Sequence, residues 1–317
     1  MFEHGGQAVR YVLLLLGGAR QLHRLRGFRA MTIFPDVPFR DYLALPGAHF
    51  TSLAHMAKSP LHYRRACDRE RDDTPALRLG RLTHALILTP ELPPDVALFD
   101  GKVRRGQYWN AFRDEHEAAG RLVVRDGELD AAKRMRDAVY SNRVARDLLG
   151  DGRGEVTVTW EEPIEPPARW DGTMVHGVRC RARLDWLGSR GVVELKTTRH
   201  TTLHSWAREV AARSYHVQHA HYRAGVVANG VEPGENWWVV IESSEPHDVV
   251  TYRLRQSDLE AGERVRQGWL QRVVECEASG RWPGVGGDEA IEFQLPEYAM
   301  TEGLEDVDMS GVTEAME

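Results

Sequence analysis

The sequence predicts an α/β protein whose central mixed β-sheet is flanked by helices. Stretches in which apolar and polar residues alternate, typical of half-buried strands, are concentrated between residues 155 and 255. Segments with the apolar spacing of amphipathic helices precede and interrupt these stretches. Strands and helices arranged in this way favour a layered fold with helices packed on a sheet.

The size and composition of the chain are those of a folded globular protein. Its 317 residues fit one large domain or two ordinary ones, and 42% hydrophobic and 28% charged residues are close to the averages for such proteins. The longest strongly apolar run, residues 11–19, is shorter than the ~20 residues that a membrane-spanning helix needs. The cysteines are too far apart for a disulfide framework or a four-thiolate metal site, so we expect a reducing, cytoplasmic compartment (Cys67, Cys180 and Cys276).

The two ends of the chain differ from its body. In residues 1–30 most of the positive charge follows a short apolar run, which is the wrong order for a signal peptide. We therefore expect a leader or a misassigned start that is not part of the fold. Residues 296–317 contain seven acids and no Lys or Arg, which is typical of a disordered acidic tail. Because the net charge is −6, the rest of the chain is close to neutral, and residues 31–295 are the predicted folded domain.

The first half of this domain is predicted to be helical. Residues 59–88 have a helical pattern with a turn around residues 72–75, and Pro75 suits the first turn of the second helix. Near one face of that helix lie Leu77, Gly80, His84 and Leu88. Residues 105–150 predict one or two further amphipathic helices, in which no chemistry is evident.

The second half predicts the sheet. Residues 155–160 alternate strictly, and a second alternating stretch begins near Met174 and ends at turn residues 188–191. Its apolar side is Val178, Cys180, Ala182 and Leu184, and its charged side is Arg179, Arg181, Arg183 and Asp185. A third strand follows the turn, and after it come predicted helices at 200–212 and 215–229 and predicted strands at 236–243 and 249–255.

One pair of carboxylates stands out at the predicted hairpin. If residues 188–191 form a four-residue turn, Leu187 pairs with Val192, and Asp185 lies directly opposite Glu194 on one face of the sheet. Directly opposed like charges are destabilising, so the pair needs compensation. Mg2+ would supply it, because proteins bind this ion through one or two carboxylates. Lys196 falls on the same face, where its ammonium could stabilise charge on a phosphate.

Four motifs, at residues 80–84, 185, 194–196 and 218–222, match the PD-(D/E)xK nuclease superfamily in their order along the chain, and they resemble its RecB-like branch. Asp185 followed by Glu194-Leu195-Lys196 is similar to the D...(D/E)xK signature. Residues 80–84 (GRLTH) resemble the GxxxH helix, and residues 218–222 (QHAHY) the QxxxY helix, of the RecB-like branch. Across residues 40–255, several blocks look like those of the exonuclease VIII (RecE-type) family of phage recombination nucleases. They are SPLHYR, TPALRLGRLTHALIL, CRARLDWL, VVELKTT and YHVQHAHYR.

The resemblance implies a restriction-endonuclease-like core at about residues 74–255, inside an exonuclease domain at 31–295. It implies that the metal ligands are His84, Asp185, Glu194 and the backbone carbonyl of Leu195, and that the catalytic residues are Asp185, Glu194 and Lys196. Glu155 is an additional candidate ligand, with an exposed strand-end charge as the alternative. The residues expected to bind DNA or support the site are Arg81, Thr197, Gln218 and Tyr222.

Two groups of arginines leave two interpretations open. Six arginines between residues 64 and 81 form either a solvated helix face or a set of phosphate contacts, since acidic residues are interleaved with them. The run Arg179, Arg181 and Arg183 either grips a DNA backbone on an open sheet face or, beneath a covering helix, requires acidic partners.

The expected function is that of a Mg2+-dependent exonuclease that degrades linear duplex DNA from its 5' ends in phage-type recombination. Mn2+ is expected to substitute for Mg2+. The family resemblance implies double-stranded DNA ends and a single-strand annealing protein as partners, allows a ring-shaped homo-oligomer, and involves no membrane. The alternatives are a Cas4-like or restriction-type nuclease and a catalytically inactive DNA-binding module on the same fold.

Overall fold

A computed structural model describes residues 32–34, 37–68, 74–90, 95–164 and 176–296. The predicted leader lies outside these residues, and so does the predicted acidic tail apart from Pro296. Among the described helices, none is both long and apolar enough to cross a membrane.

A six-stranded mixed sheet forms the centre of the described part of the chain. The described strands are β1 Thr32–Phe34, β2 Val96–Leu98, β3 Leu122–Val124, β4 Gly152–Ile164, β5 His176–Gly188, β6 Gly191–Thr198, β7 Glu235–Glu242 and β8 Val249–Arg253. All of them except β2 and β3 belong to the central sheet. The sheet order is β1-β4-β5-β6-β7-β8, in which β6 and β7 are parallel and the other neighbours antiparallel. This topology confirms the predicted mixed sheet.

Helices cover both faces of the sheet. They are α1 Phe39–Ala44, α2 Phe50–Leu53, α3 Pro60–Asp68, α4 Pro75–Leu88, α5 Gly106–Ala118, α6 Asp126–Ser141, α7 Arg143–Leu148, α8 Leu203–Arg213, α9 Tyr215–Ala228 and α10 Gln256–Ser279. On one face, α9 and α10 pack over a cluster that includes Leu184 and Val226. On the other, α4, α6 and α7 pack over a cluster that includes Ile87, Val139 and Leu195. Burying each such side chain contributes about 1.5–3 kcal/mol.

The helix α4 begins and ends where the sequence predicts. The Thr74 hydroxyl accepts a hydrogen bond from the Leu77 backbone amide at 3.3 Å, and Pro75 occupies the first turn. Gly80, His84 and Leu88 face the sheet side, whereas Leu77 at the start of the same face is exposed. The helix therefore brings the His84 side chain to the sheet, close to the buried C-terminal end of α4.

A small second unit, which the sequence analysis did not predict, packs on the outside of α4. Residues 95–125 form the parallel pair β2 and β3 together with α5, around a core of Ala97, Phe99, Trp109 and Val123. Leu82 on α4 joins this satellite unit to α6. Strands of three residues are too short to show an alternating pattern, so only the helices of this region were predictable.

The final helix, α10, was also not predicted. Two of its buried positions hold residues that interrupt an apolar pattern, Gly262 and Arg266. A Cβ atom at Gly262 would lie 2.5 Å from the His216 carbonyl oxygen, so glycine permits the close approach of α10 to α9. Arg266 is buried because its guanidinium bonds Glu162 and Glu263.

Candidate active site

The candidate site lies where the β5–β6 hairpin stops pairing. Leu187 pairs with Val192, as predicted, but the ladder ends at the next pair, Trp186–Val193. Asp185 and Glu194 are the next residues in this register, and they lie side by side without a ladder pair between them. Instead, the Asp185 backbone N–H donates to Glu194 Oε1 at 3.2 Å, and the Leu195 N–H donates to Asp185 Oδ2 at 2.9 Å. Each carboxylate thus takes the place of a backbone acceptor on the facing strand.

The neighbouring strand β4 is kinked at the same level. Glu155 has a φ of +56°, in the left-handed region that is strained for a residue with a side chain. Val156 packs into the core beneath α9, whereas a Cβ atom at Gly154 would lie 2.2 Å from the Leu88 carbonyl oxygen of α4. The alternation of β4 therefore breaks at Glu155, and the absence of a side chain at Gly154 lets α4 approach the sheet.

From the α4 side, a histidine reaches the first carboxylate. His84 Nδ1 lies 3.5 Å from Asp185 Oδ1. One turn earlier, a Cβ atom at Gly80 would be 3.5 Å from Thr197 Oγ1, so this glycine sits against β6. Thr197 therefore borders the contact between α4 and the sheet. Arg81, which follows Gly80, is exposed on α4.

From the α9 side, polar side chains reach the second carboxylate. Lys196 Nζ donates to Glu194 Oε2 at 2.7 Å, and Gln218 Nε2 donates to the same oxygen at 2.9 Å. Gln218 Nε2 also donates to the Tyr222 hydroxyl at 2.8 Å, as the i, i+4 spacing of these two residues allows. Tyr215, whose ring centroid lies 4.9 Å from Lys196 Nζ, was not among the predicted site residues. Its spacing of three residues from Gln218 was the available signal.

Burial and mutual charge separate the pKa values of the two carboxyl groups. Burial, followed by the charge of Asp185, raises the pKa of Glu194 to about 7, although Lys196 opposes the shift. Burial also acts to raise the pKa of Asp185, but the charges of His84 and Lys196 outweigh it and lower that pKa to about 2. Asp185 is therefore the fixed anion of the pair.

The pKa values of the two cationic partners are both raised. Burial acts to lower the pKa of His84, but the charge of Asp185 reverses this effect and raises the pKa above its ordinary value. Burial likewise acts to lower the pKa of Lys196, and the charges of Glu194 and Asp185 raise it instead. Lys196 is therefore protonated at neutral pH.

The types of donor present fit a divalent cation. An imidazole and two carboxylates converge at His84, Asp185 and Glu194, and oxygen and imidazole donors suit Mg2+ or Mn2+. In the part of the chain that the structure describes, however, no three His, Cys, Asp or Glu side chains are arranged to hold a metal ion. His84 faces Asp185, and Glu194 bonds Lys196 and Gln218 instead, so binding a cation requires these side chains to rearrange.

The N-terminal part of the fold covers two of the three arginines on β5. Arg181 Nη1 donates to the backbone carbonyls of Tyr42 and Leu43, the latter at 3.0 Å. Arg183 donates to the carbonyl of Val37 and forms an ion pair with Glu155. Arg179 remains exposed. The interpretation of Arg181 and Arg183 as a DNA grip on an open face is therefore wrong. The alternative of Glu155 as an exposed strand-end charge is also wrong, because its side chain is half-buried and paired.

The arginines between residues 64 and 81 do not form one surface. Arg64 pairs with Asp68 at 3.8 Å on exposed parts of α3, whereas Arg78 is buried. Arg69 and Arg71 lie outside the described residues. The solvated-face interpretation thus applies to Arg64.

A helix-flanked mixed sheet with paired acids and a lysine at a hairpin defines the PD-(D/E)xK class of nuclease folds. The chain belongs to the family described as "PDDEXK-like domain of unknown function (DUF3799)", whose model matches residues 50–293. No curated protein matches the chain.

Several solved structures match the chain, among them the following two. The crystal structure of a "Putative exonuclease" from Eubacterium rectale aligns with a TM-score of 0.52 and 12% identity, covering 80% of this chain and 92% of that one. At this identity the likeness shows a shared fold. The crystal structure of SSO0001 aligns with a TM-score of 0.27 and 12% identity, over 71% of this chain and 87% of that one, and supports no argument.

Proposed function

We propose that this PD-(D/E)xK nuclease is a metal-dependent exodeoxyribonuclease that hydrolyses linear double-stranded DNA in the 5' to 3' direction. The observation that carries the proposal is the convergence of Asp185, Glu194 and Lys196 at the end of the β5–β6 ladder, with His84 beside them. This set contains the acids, the imidazole and the ammonium that phosphodiester hydrolysis by a metal-activated water requires. The name of the Eubacterium rectale structure supports exonuclease activity.

The proposed cofactor is Mg2+, with Mn2+ as a substitute. His84, Asp185, Glu194 and the Leu195 carbonyl would hold the ion, and Glu155 is an additional candidate once it leaves Arg183. When bound, such an ion polarises the phosphodiester and lowers the pKa of a bound water. The Leu195 N–H that bonds Asp185 holds this carboxylate at the point where the pairing of β5 with β6 ends.

The other side chains of the site orient the Glu194 carboxylate and stabilise charge on the phosphate. Lys196 carries a proton at neutral pH and stands between Glu194 and the ring of Tyr215. From there its ammonium can donate to a phosphate oxygen that gains charge in the transition state. Gln218, itself bonded to Tyr222, fixes the carboxylate of Glu194 from the other side. Thr197 and Arg81 are proposed to border the path of the DNA.

The proposed biological setting is phage-type recombination, in the cytoplasm of a bacterial or phage-infected cell. There a single-strand annealing protein would receive the resected strand, and a ring-shaped homo-oligomer would keep the enzyme on its DNA. The five sequence blocks that resemble exonuclease VIII support this setting. A Cas4-like enzyme is less well supported, because the three cysteines, one exposed and two buried, are not clustered for an iron–sulfur site.

End-labelled DNA tests the proposal directly. The purified chain is incubated in Mg2+ or Mn2+ with linear duplex labelled at either the 5' or the 3' end, and with covalently closed circular duplex as the control. The expected result is loss of linear duplex, early release of the 5' label and no attack on the circle. Cleavage of the circle would indicate a restriction-type endonuclease, and an absence of cleavage of either DNA in both metals would indicate an inactive binding module.

A further inference from the structure

A basic segment of the satellite unit is held in shape by its own neighbours. This 101–108 segment joins β2 to the first turn of α5. Arg104 bonds both carboxylate oxygens of Glu128 on α6 and lies 5.5 Å from the ring centroid of Trp109. Arg125 donates to the Lys102 carbonyl oxygen at 2.8 Å. The backbone is therefore fixed from two sides, and the remaining side chains project from a rigid support.

Tyr108 presents an aromatic ring to solvent in a fixed orientation. Its hydroxyl donates to Asp100 at 2.7 Å, and its ring lies against Phe99 with centroids 5.4 Å apart. Despite these two contacts, the residue is 60% exposed, and the neighbouring Val103 is 51% exposed. An exposed aromatic ring held by its neighbours can stack on a nucleobase.

The same segment carries two exposed cationic side chains. Lys102 and Arg105 are exposed, and no ion pair involves them among the described residues. The amino end of α5 adjoins them, and its first turn contains no acidic residue. Asp100 is the nearby exposed acid, and it is engaged by Tyr108. The segment therefore combines positive charge with apolar surface, as a groove for single-stranded nucleic acid does.

The 101–108 segment lies beside the helix that carries His84. Leu82 of α4 packs in one cluster with Val124 of β3 and Ala132 of α6, and α6 also carries Glu128, the partner of Arg104. Leu82 and His84 are two residues apart, so their side chains lie on opposite sides of α4. Leu77 and Arg81 are exposed on the same helix. The 101–108 segment thus lies on the outer side of α4, the helix that carries His84 to the sheet.

We infer that the 101–108 segment binds unpaired bases of a DNA strand, with Tyr108 as the stacking platform. This inference rests on the proposed nuclease function for its choice of ligand. Lys102 and Arg105 contact the phosphates on either side of the stacked base. Val103 lies against the base edge or the sugar. The segment thereby favours DNA whose end is frayed over a fully paired end.

Binding without cleavage tests the inference. Fluorescence anisotropy of a short labelled single strand, measured in EDTA with the full chain, compares the wild type with Tyr108→Ala and Tyr108→Phe. We expect Tyr108→Ala to weaken affinity about fivefold or more, the lower end of base–aromatic stacking, and Tyr108→Phe to stay within about twofold. The control Phe293→Ala removes another exposed ring, from the C-terminal segment, and should have no effect.

A charge variant provides an independent measurement. Lys102→Gln combined with Arg105→Gln should reduce the slope of log affinity against log salt by about 1.4, as expected for two lost contacts to a single strand. The control pair Arg255→Gln and Arg264→Gln removes two exposed arginines at α10, which covers the other sheet face, and should leave the slope unchanged.

The outcomes separate this inference from the proposed function. If the wild type cleaves DNA but Tyr108→Ala binds the single strand as tightly as the wild type does, the inference is overturned and the nuclease function stands. If the wild type binds through Tyr108 but cleaves no DNA, the binding surface stands and the nuclease function is overturned. A wild type with no measurable affinity for the single strand overturns the inference whatever its cleavage activity.

Discussion

At the scale of single residues, the site depends on which partner each charged group has. Glu194 is 1% exposed, and its stabilising partners are Lys196 and Gln218. Such a buried carboxylate is costly without hydrogen bonds, because desolvation disfavours its charged form. The chemistry of the site therefore depends on a few short contacts that single substitutions can remove.

Replacing the lysine should stop catalysis and leave the fold intact. Lys196→Ala removes the ammonium that stabilises the charged transition state, so we expect kcat for linear duplex in Mg2+ to fall about 100-fold or more. Lys58→Ala, which removes an exposed lysine from the end of a short helical turn, is the matched control. Circular dichroism should show both variants folded. Cleavage by Lys196→Ala at the wild-type rate would falsify the assignment of the hairpin as the catalytic centre.

Replacing the histidine should weaken metal binding. His84→Ala removes the one imidazole beside Asp185, and an imidazole suits Mn2+ better than Mg2+. Calorimetric titration with Mn2+ should show lower affinity in this variant, and activity should fall most at limiting metal. His204→Ala removes an exposed histidine and should have no effect. An unchanged Mn2+ affinity in His84→Ala would exclude His84 as a ligand.

A buried histidine makes stability depend on pH. Burial, then the charge of Lys196, lowers the pKa of His219 to about 3, while its ring packs edge-on against Trp238 at 4.7 Å. In the unfolded chain this group takes up a proton below about pH 6.5, so lowering the pH from 7 to 5 costs the folded state about 2 kcal/mol.

His219→Phe should therefore reduce the loss of melting temperature between pH 7 and pH 5, because it keeps the ring and removes the titrating group. His204→Phe, at an exposed position, is the control and should retain the wild-type pH dependence. An equal loss of melting temperature between pH 7 and pH 5 in the wild type and in His219→Phe would show that the pKa of His219 is the same in the folded and unfolded states.

At the scale of elements, the position of α4 decides whether its histidine reaches the sheet. Gly154 on β4 leaves space for the backbone of Leu88, and Gly80 lies beside Thr197, from which a Cβ atom would be 3.5 Å away, an ordinary contact distance. The two contacts, at Leu88 and at Gly80, lie at opposite ends of the segment of α4 that contains His84. Close packing of a helix against a strand therefore sets the distance from His84 to Asp185.

Adding one methyl group at this contact should disturb both stability and activity. In Gly154→Ala the new Cβ atom would lie 2.2 Å from the backbone of Leu88, and backbone cannot rotate away as a side chain can. We expect a loss of about 1–3 kcal/mol in the free energy of unfolding and a decrease in kcat of about tenfold or more, because His84 moves.

The control Gly127→Ala places a methyl group where no atom lies within 4 Å, in the first turn of α6. It should leave activity unchanged and stability unchanged or higher. Wild-type activity in Gly154→Ala would show that the contact between α4 and β4 does not position the site.

At the scale of the whole molecule, the sequence and the structure agree where local patterns are strong. The hairpin register Leu187–Val192 and the pairing of Gln218 with Tyr222 were predictable, because alternation and helical spacing are local properties. The left-handed Glu155 was not, since its conformation depends on the ion pair with Arg183 and on contacts from α4. The two-strand unit and α10 were missed because their stability comes from tertiary contacts that no short window contains.

The acidic end of the chain gives a prediction for the molecule as a whole. Truncation after Leu295 removes seven acids, which would repel DNA or compete with it for basic surface. We expect an unchanged melting temperature and a DNA affinity that is equal or tighter at low salt, with the difference shrinking as salt screens the charges. Unfolding or dissociation of a stable oligomer on truncation would contradict the predicted boundary at Pro296.

The ladder that ends at Trp186–Val193 also determines how an inactive variant should be made. The side chains of Asp185 and Glu194 accept from backbone amides across the gap, so an alanine at either position leaves a buried N–H without an acceptor. β5 and β6 can then extend their pairing by forming additional backbone hydrogen bonds. The variant would lose the opening between the two strands as well as the carboxylate. Asp185→Asn keeps an oxygen for the Leu195 N–H, and it is therefore the better choice for trapping an uncleaved DNA complex.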